Sequence, residues 1–322
     1  MASLSSATAA SSCERASSEC GRCTGSVAYP GQAADLPVSR QLEQMHCRQQ
    51  RQDDVAHRAL PAPPRSPDAT LREFNSAGRL VRIDAQVAAL GGCAGSIVVI
   101  QEVTPSTAPL WQAALHRQGL EYSLCTVPES TPGPKYLQLG VLVASRCRIV
   151  DLLPCPHDMP WPQRSLSVVI ETNVGVITVH AVHMPTGVGH RAEKIASFHA
   201  VYRMIDTPSD KPRVLCGDFN SPKFEFADGT IHTWGNKQQQ AAEYLLFGAS
   251  RHMLRDVFRG LHGYHTPAWS WCRQIRGKPV MRRFDHIFAS PELKASACPY
   301  LHDFVTTGLS DHAPIVADFN QY

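Results

Sequence analysis

At five places in the sequence an acid, an amide or an imidazole stands at the border of a short apolar run. These are Gln101 and Glu102 after residues 97–100, His183 at the end of residues 175–183, Asp218 and Asn220 after residues 214–216, Asp285 ahead of residues 286–289, and Asp311 with His312 ahead of residues 313–319. Runs of this length and Val/Ile content read as buried strands, so each polar group is expected where a strand meets a loop. Asp218 and Asn220 are two residues apart, which in extended backbone points both side chains the same way. Singly, each has an ordinary explanation, because Gly, Asp, Asn, Ser and Pro favour turns and acids cap helices. As a set, carboxylates, an amide and imidazoles without a cysteine quartet suit a hard cation such as Mg²⁺, completed by water and a substrate phosphate. The chemistry such a site supports is phosphoryl chemistry.

The elements that must hold these groups follow from hydrophobic spacing. A first strand is expected over residues 70–75, and Leu80, Ile83, Val87 and Leu90 have helical spacing. A second helix is expected over 110–120, then four strands at 137–144, 148–153, 166–171 and 175–183, read as one antiparallel sheet. A helix over 191–205, the Asp218 strand, a helix over 241–247 and strands at 284–289 and 313–319 follow. With 322 residues and 43% hydrophobic content, the chain can bury a full core. Residues 1–66 are rich in Ser, Ala, Arg and Gln and end among Pro61, Pro63, Pro64 and Pro67, which predicts a disordered extension and linker before a domain over 67–322. Cys20 and Cys23 have the spacing of half a zinc site, but nothing completes it in a structural zinc pattern. The eleven cysteines are mostly scattered singly, as expected of reduced thiols in an intracellular, cytoplasmic protein. No apolar run approaches the roughly 20 residues of a membrane helix, so no membrane association is expected. A net charge of +3 selects no partner.

In order along the chain, Ile100-Gln101-Glu102, residues 140–145, His183 to Gly187, Gly217 to Ser221, Arg283 to Ile287 and Ser310 to Pro314 resemble the endonuclease/exonuclease/phosphatase superfamily. The likeness is closest to its exonuclease III-like and DNase I-like members and runs from about residue 75 to 319. It implies an α/β (α+β) four-layered sandwich, with two mixed β-sheets packed face to face and helices outside. It also implies a Mg²⁺-dependent phosphodiesterase, with Mn²⁺ as a substitute, acting as a monomeric nuclease on DNA. Glu102 would be the principal metal ligand, with Asp311 and Asn75 nearby. Asp218 and Asn220 would handle the attacking water or leaving oxygen, His312 would contact the scissile phosphate or act as general acid/base, and His183 takes the place of the DNase I-like His. Which of Asp218 and His312 accepts the proton stays open. Neighbours in extended chain point to opposite faces, so Asp285, rather than Asp311, is expected to orient His312.

Several residues depart from the family pattern. Val103, Thr104 and Pro105 stand where exonuclease III-like enzymes carry a Lys, residues 71–75 are more polar than the usual first strand, and Arg282 occupies the place of a Trp in DNA repair members. The base pocket is therefore expected to differ, with weak preference for abasic sites. Arg273, Arg276, Lys278, Arg282 and Arg283, with Trp269, Trp271 and Met281 interleaved, form either a solvated loop or a track for a phosphate backbone, and Arg164 could reach a phosphate too. The competing readings are a hydrolase of small or lipid phosphoesters and a nucleic-acid-binding protein with a decayed site.

Overall fold

The computed structural model describes residues 70–75, 82–90, 97–127, 134, 137–247 and 252–320, so the expected extension and linker lie outside the described residues. In chain order come β1 (Thr70–Asn75), α1 (Ile83–Ala89), β2 (Ile97–Val103), α2 (Ala108–Arg117), β3 (Tyr122–Cys125), β4 (Gly140–Ser145), β5 (Ile149–Leu153), β6 (Ser165–Thr172) and β7 (Gly175–His183). Next are α3 (Arg191–Asp206), β8 (Arg213–Asp218), the short strands β9 (Phe224–Glu225) and β10 (Ile231–His232), and α4 (Lys237–Phe247). Then follow β11 (Arg255–Asp256), α5 (Val257–His262), β12 (Trp271–Ile275), β13 (Lys278–Arg282), β14 (Asp285–Ala289), β15 (Lys294–Ala297), α6 (Asp303–Thr306) and β16 (Ile315–Asn320).

Two six-stranded mixed sheets result, ordered β15-β16-β1-β2-β4-β3 and β11-β14-β8-β7-β6-β5. Each has one parallel pair near its centre, β1 with β2 and β7 with β8, and a helix crosses over between the paired strands. Side-chain alternation sorts every strand into two faces. Ile97 and Val99 of β2 and Val214 and Cys216 of β8 enter the core between the sheets. Val98 and Ile100 instead pack with Ile83, Val87 and Trp111 of the first sheet's helices. Leu215 and Phe219 pack with Phe198, Val201 and Leu246 of α3 and α4. The layers are therefore helix, sheet, sheet, helix. Each fully buried Val or Ile is worth about 1.5–3 kcal/mol, so these rows fix strand register, and register fixes where Asp218 points.

The expected antiparallel sheet of four successive strands is corrected here. β4 pairs with β2 and β3 in the first sheet, whereas β5, β6 and β7 belong to the second. The three residues between β4 and β5 look like a hairpin turn in sequence, but they carry the chain from one sheet to the other. The described cysteines are free, with Cys216 and Cys298 buried. Among the described residues no helix is long and apolar enough to cross a membrane.

Candidate active site

Register brings three of the expected groups into one row at the strand ends of the second sheet. His183 of β7 lies opposite Asp218 of β8, and Asp218 lies opposite Asp285 of β14. All three continue the inward-facing parity of their strands, so they leave the apolar core on the side that faces the other sheet. Gly217 makes the approach of β7 and β8 possible: its φ is +143°, and a Cβ there would run into the backbone carbonyl of Val182.

His312 comes to this row from the first sheet, just ahead of β16. Its Nδ1 lies 2.7 Å from Asp285 Oδ2. The segment is clipped in place by backbone bonds, with Cys272 N–H donating to Asp311 O at 3.2 Å and Ala313 N–H to Ser270 O at 2.6 Å. Asp285 is fixed in turn: its N–H donates to Ser270 Oγ at 3.0 Å, and Tyr300 Oη donates to its carbonyl at 2.8 Å. Ligand atoms of Asp218, Asp285 and His312 all lie within 4.8 Å of one another.

The electrostatics separate the two imidazoles. Burial alone would depress His312, but the Asp285 carboxylate, its hydrogen bond and the Asp218 charge lift it to about 10, so it is an imidazolium at neutral pH. His183 is held well below its ordinary value by burial and by the charges of Arg164 and His312. Its Nε2 is 3.9 Å from Asp218 Oδ2, and because the ring is neutral this contact is no ion pair. Burial, then the Asp285 charge, raises Asp218 to about 7, against the pull of His312 and of the Asn220 N–H, which donates to Oδ1 at 2.8 Å.

Asn220 adopts φ +51°, a left-handed conformation in which its amide donates to Met184 O at 3.0 Å. Behind it, Lys194 of α3 is completely buried and donates from Nζ to Asn220 O at 2.8 Å, while facing Glu243 at 3.6 Å. Lys194 therefore holds the turn that follows Asp218 from underneath. On the other sheet β1 and β2 end side by side, with Asn75 in register with Gln101. The pairing of β2 with β4 slips between Ile100 and Val103, and Glu102 sits in this bulge with φ +57°, which turns it out of the strand's alternation. Glu102 and Asp218 both act electrostatically on Arg164, a buried residue whose guanidinium lies 4.5 Å over the Trp161 ring.

The remaining expected residues divide. Trp271 bridges to His312 in backbone pairing and lies beside Phe284, close to the row. Arg276 and Lys278 are exposed at the tip of the β12–β13 ribbon, so the basic run is a two-stranded ribbon instead of a loop. Arg282 is half-buried, with its guanidinium 4.5 Å over Phe224. Arg283 is a correction: it is buried and grips Glu225 at 2.6 Å and Asp256 at 2.6 Å, so it is a structural cation and does not face a substrate. Its charge is satisfied inside the protein, which the basic run around it concealed.

Glu73 was not singled out in the sequence. It is fully buried on the inter-sheet side of β1, and burial together with Asp285 and Asp218 raises it well above the glutamate range. Glu73 therefore adds an uncharged carboxyl beside Asp285 and Asp218. Glu102 acts electrostatically on Asp218 and Asp311 on His312, so both acids lie close to the row, and their donors are oxygens, which fits a hard divalent cation.

Such groups at the ends of two packed sheets are equipment for hydrolysing a phosphoester. The chain belongs to the Endonuclease/Exonuclease/phosphatase family, matching it over residues 39–312, and is a phosphoric ester hydrolase. Its fold is similar to that of an AP endonuclease from Archaeoglobus fulgidus (20% identity, TM-score 0.61, 78% of this chain and 99% of that one). A humanized D. rerio TDP2 is similar at 14% identity and TM-score 0.59, over 79% of this chain and 99% of that one. The Neisseria 3′ phosphatase NExo bound to product DNA hairpin is similar at 20% identity and TM-score 0.57, over 78% and 99%. No curated protein matches the sequence.

Proposed function

We propose that the chain hydrolyses phosphodiester bonds of nucleic acid, DNA foremost, with Mg²⁺ or in its place Mn²⁺. The observation that carries this reading is the Asp218 carboxylate beside a His312 ring that Asp285 holds by Nδ1 at 2.7 Å. With one ring nitrogen held by a carboxylate, His312 keeps its second proton at Nε2 and binds the scissile phosphate as a cation. Asp218, lifted to about 7, then takes the proton of the attacking water. Asn220 orients the same oxygen, and His183 and Arg164 donate to the phosphate. Glu102, Asp311 and Asn75 are the residues that would hold the cation, which when bound would offset negative charge on the phosphate. The AP endonuclease and the DNA-bound 3′ phosphatase among the structural neighbours support nucleic acid as the substrate class.

The test is the purified chain assayed on labelled single-stranded, duplex and abasic DNA, on RNA, and on a chromogenic phosphodiester. Hydrolysis of DNA should vanish with EDTA and return with Mg²⁺ or Mn²⁺. Full activity in metal-free protein would overturn the cation, and turnover of the chromogenic ester alone would move the substrate to small phosphoesters.

A further inference from the structure

Beside the row of acids and imidazoles the two short ribbons meet and expose aromatic rings that the core does not need. Lys223 and Phe224 come directly after the Asp218–Pro222 turn, and Arg282 lies three residues before Asp285, so both ribbons are extensions of strands that carry the site. Phe224 is 43% exposed, Trp234 40% and Phe226 51%. Lys223 Nζ lies 4.7 Å from the Trp234 ring and 5.4 Å from that of Phe224, and the Arg282 guanidinium lies 4.5 Å from Phe224, which also stacks on His232 at 6.2 Å. The cations thus lean on ring faces at the surface, while Glu225, the acid of the β9 strand, is turned inward to Arg283 and Arg259.

That inward grip makes the rim rigid. Glu225 accepts from Arg283 Nε at 2.7 Å and Nη2 at 2.6 Å, and from Arg259 at 2.7 Å, so the residue following Phe224 is held by two buried guanidinium groups. The far end of the ribbon is closed by Asp228, whose Oδ1 accepts from the N–H of Thr230 at 2.9 Å. Exposed rings on an anchored ribbon lose little freedom on binding. Aromatic faces flanked by cations match a nucleobase next to a phosphate. A base can lie on such a face only when it is unpaired and unstacked, because a duplex covers both of its faces.

We propose that the rim of Lys223, Phe224, Trp234 and Arg282 binds single-stranded nucleic acid, taking an unpaired base and an adjoining phosphate next to the phosphodiester under attack. This assignment rests on the reading of the neighbouring site as a nucleic-acid phosphodiesterase. Trp234 and Phe224 supply the stacking faces, and Lys223 and Arg282 supply the positive charge for the backbone.

The experiment uses the full chain and its variants Trp234→Ala, Phe224→Leu and Lys223→Gln, with thermal melting to check that each is folded. Binding to oligo-dT, oligo-rU and a blunt DNA duplex is followed in EDTA by anisotropy, and turnover of the oligonucleotides and of a chromogenic phosphodiester is measured with Mg²⁺. Base–aromatic stacking of about 1–3 kcal/mol means that Trp234→Ala and Phe224→Leu should each weaken oligonucleotide binding about 5- to 150-fold. The ratio of oligonucleotide to chromogenic turnover should fall by a similar factor. Lys223→Gln should reduce the salt slope of binding by about one unit. Stronger loss on oligo-rU than on oligo-dT, or the reverse, tells which single strand the rim takes. Unchanged oligonucleotide binding in all three variants overturns the proposal while leaving the phosphodiesterase reading intact. Equal weakening on the duplex overturns the single-strand assignment. A wild-type chain that cleaves only the chromogenic ester overturns the nucleic-acid reading itself.

Discussion

Asp218, lifted to about 7, changes charge near neutral pH, whereas His312, lifted to about 10, stays protonated through that range. Activity should therefore rise with pH through an apparent value near 7 and fall again toward 10. Asp218→Asn should abolish the rising limb and lower kcat by at least about 10², the usual scale for a positioned base, which a pH–rate profile checks. A second prediction concerns Glu73. Its carboxyl is neutral when folded and ionised when unfolded above the ordinary glutamate range, so the unfolded chain binds fewer protons there and stability falls as pH rises. Glu73→Gln should melt close to wild type near pH 4 and progressively higher toward pH 8, a series that scanning calorimetry resolves. The groups at strand borders were legible because an apolar run followed by an acid is a local pattern. Glu73 was not, because in Leu71-Arg72-Glu73-Phe74 a carboxylate between an arginine and an aromatic reads as solvent-facing, and glutamates are rarely fully buried.

Among the elements, the approach of β7 to β8 is the most demanding local fit. Gly217→Ala should cost roughly 3 kcal/mol or more, because the added methyl meets the Val182 backbone and no side chain there can move aside; urea unfolding measures the loss. The strands that carry His183, Asp218 and Asp285 were visible in their hydrophobic runs, but their membership in sheets was not. Val141 and Ile149 lie close in sequence and in different sheets, since pairing is decided by partners such as β2 that lie far away along the chain. The ribbons are hidden in the sequence for a different reason. Charged residues and Pro279 make residues 271–282 look like a loop, and the cross-strand pairs from Trp271–Arg282 to Ile275–Lys278 exist only because the ribbon folds back on itself. Arg283, read with that basic run, differs from its neighbours in facing the other way, toward Glu225 and Asp256.

For the molecule as a whole, acid is the condition to which this fold should be most sensitive. Burial alone would raise Glu225, but Arg283 and Arg259 hold it at about 2, and Asp256 is likewise depressed. The stabilisation from a depressed carboxylate is fully present above its unfolded value and is lost as pH falls through the folded one, here between roughly pH 5 and 2. Glu225→Gln should lower stability at neutral pH by about 3–5 kcal/mol, the scale for breaking a buried pair, and should make the acid limb shallower in a pH series of thermal melts. The sheet order has a further effect on the timing of synthesis. β1 lies between β2 and β16, and Thr70 Oγ1 donates to Asp318 at 2.6 Å across 248 residues of sequence. A ribosome needs on the order of tens of seconds to cover that distance, and throughout it one side of β1 has no partner. Thr70, Arg72 and Glu73, the residues that make β1 too polar for an ordinary central strand, lie along that waiting edge. Their polarity discourages another nascent chain from pairing there before β16 is made.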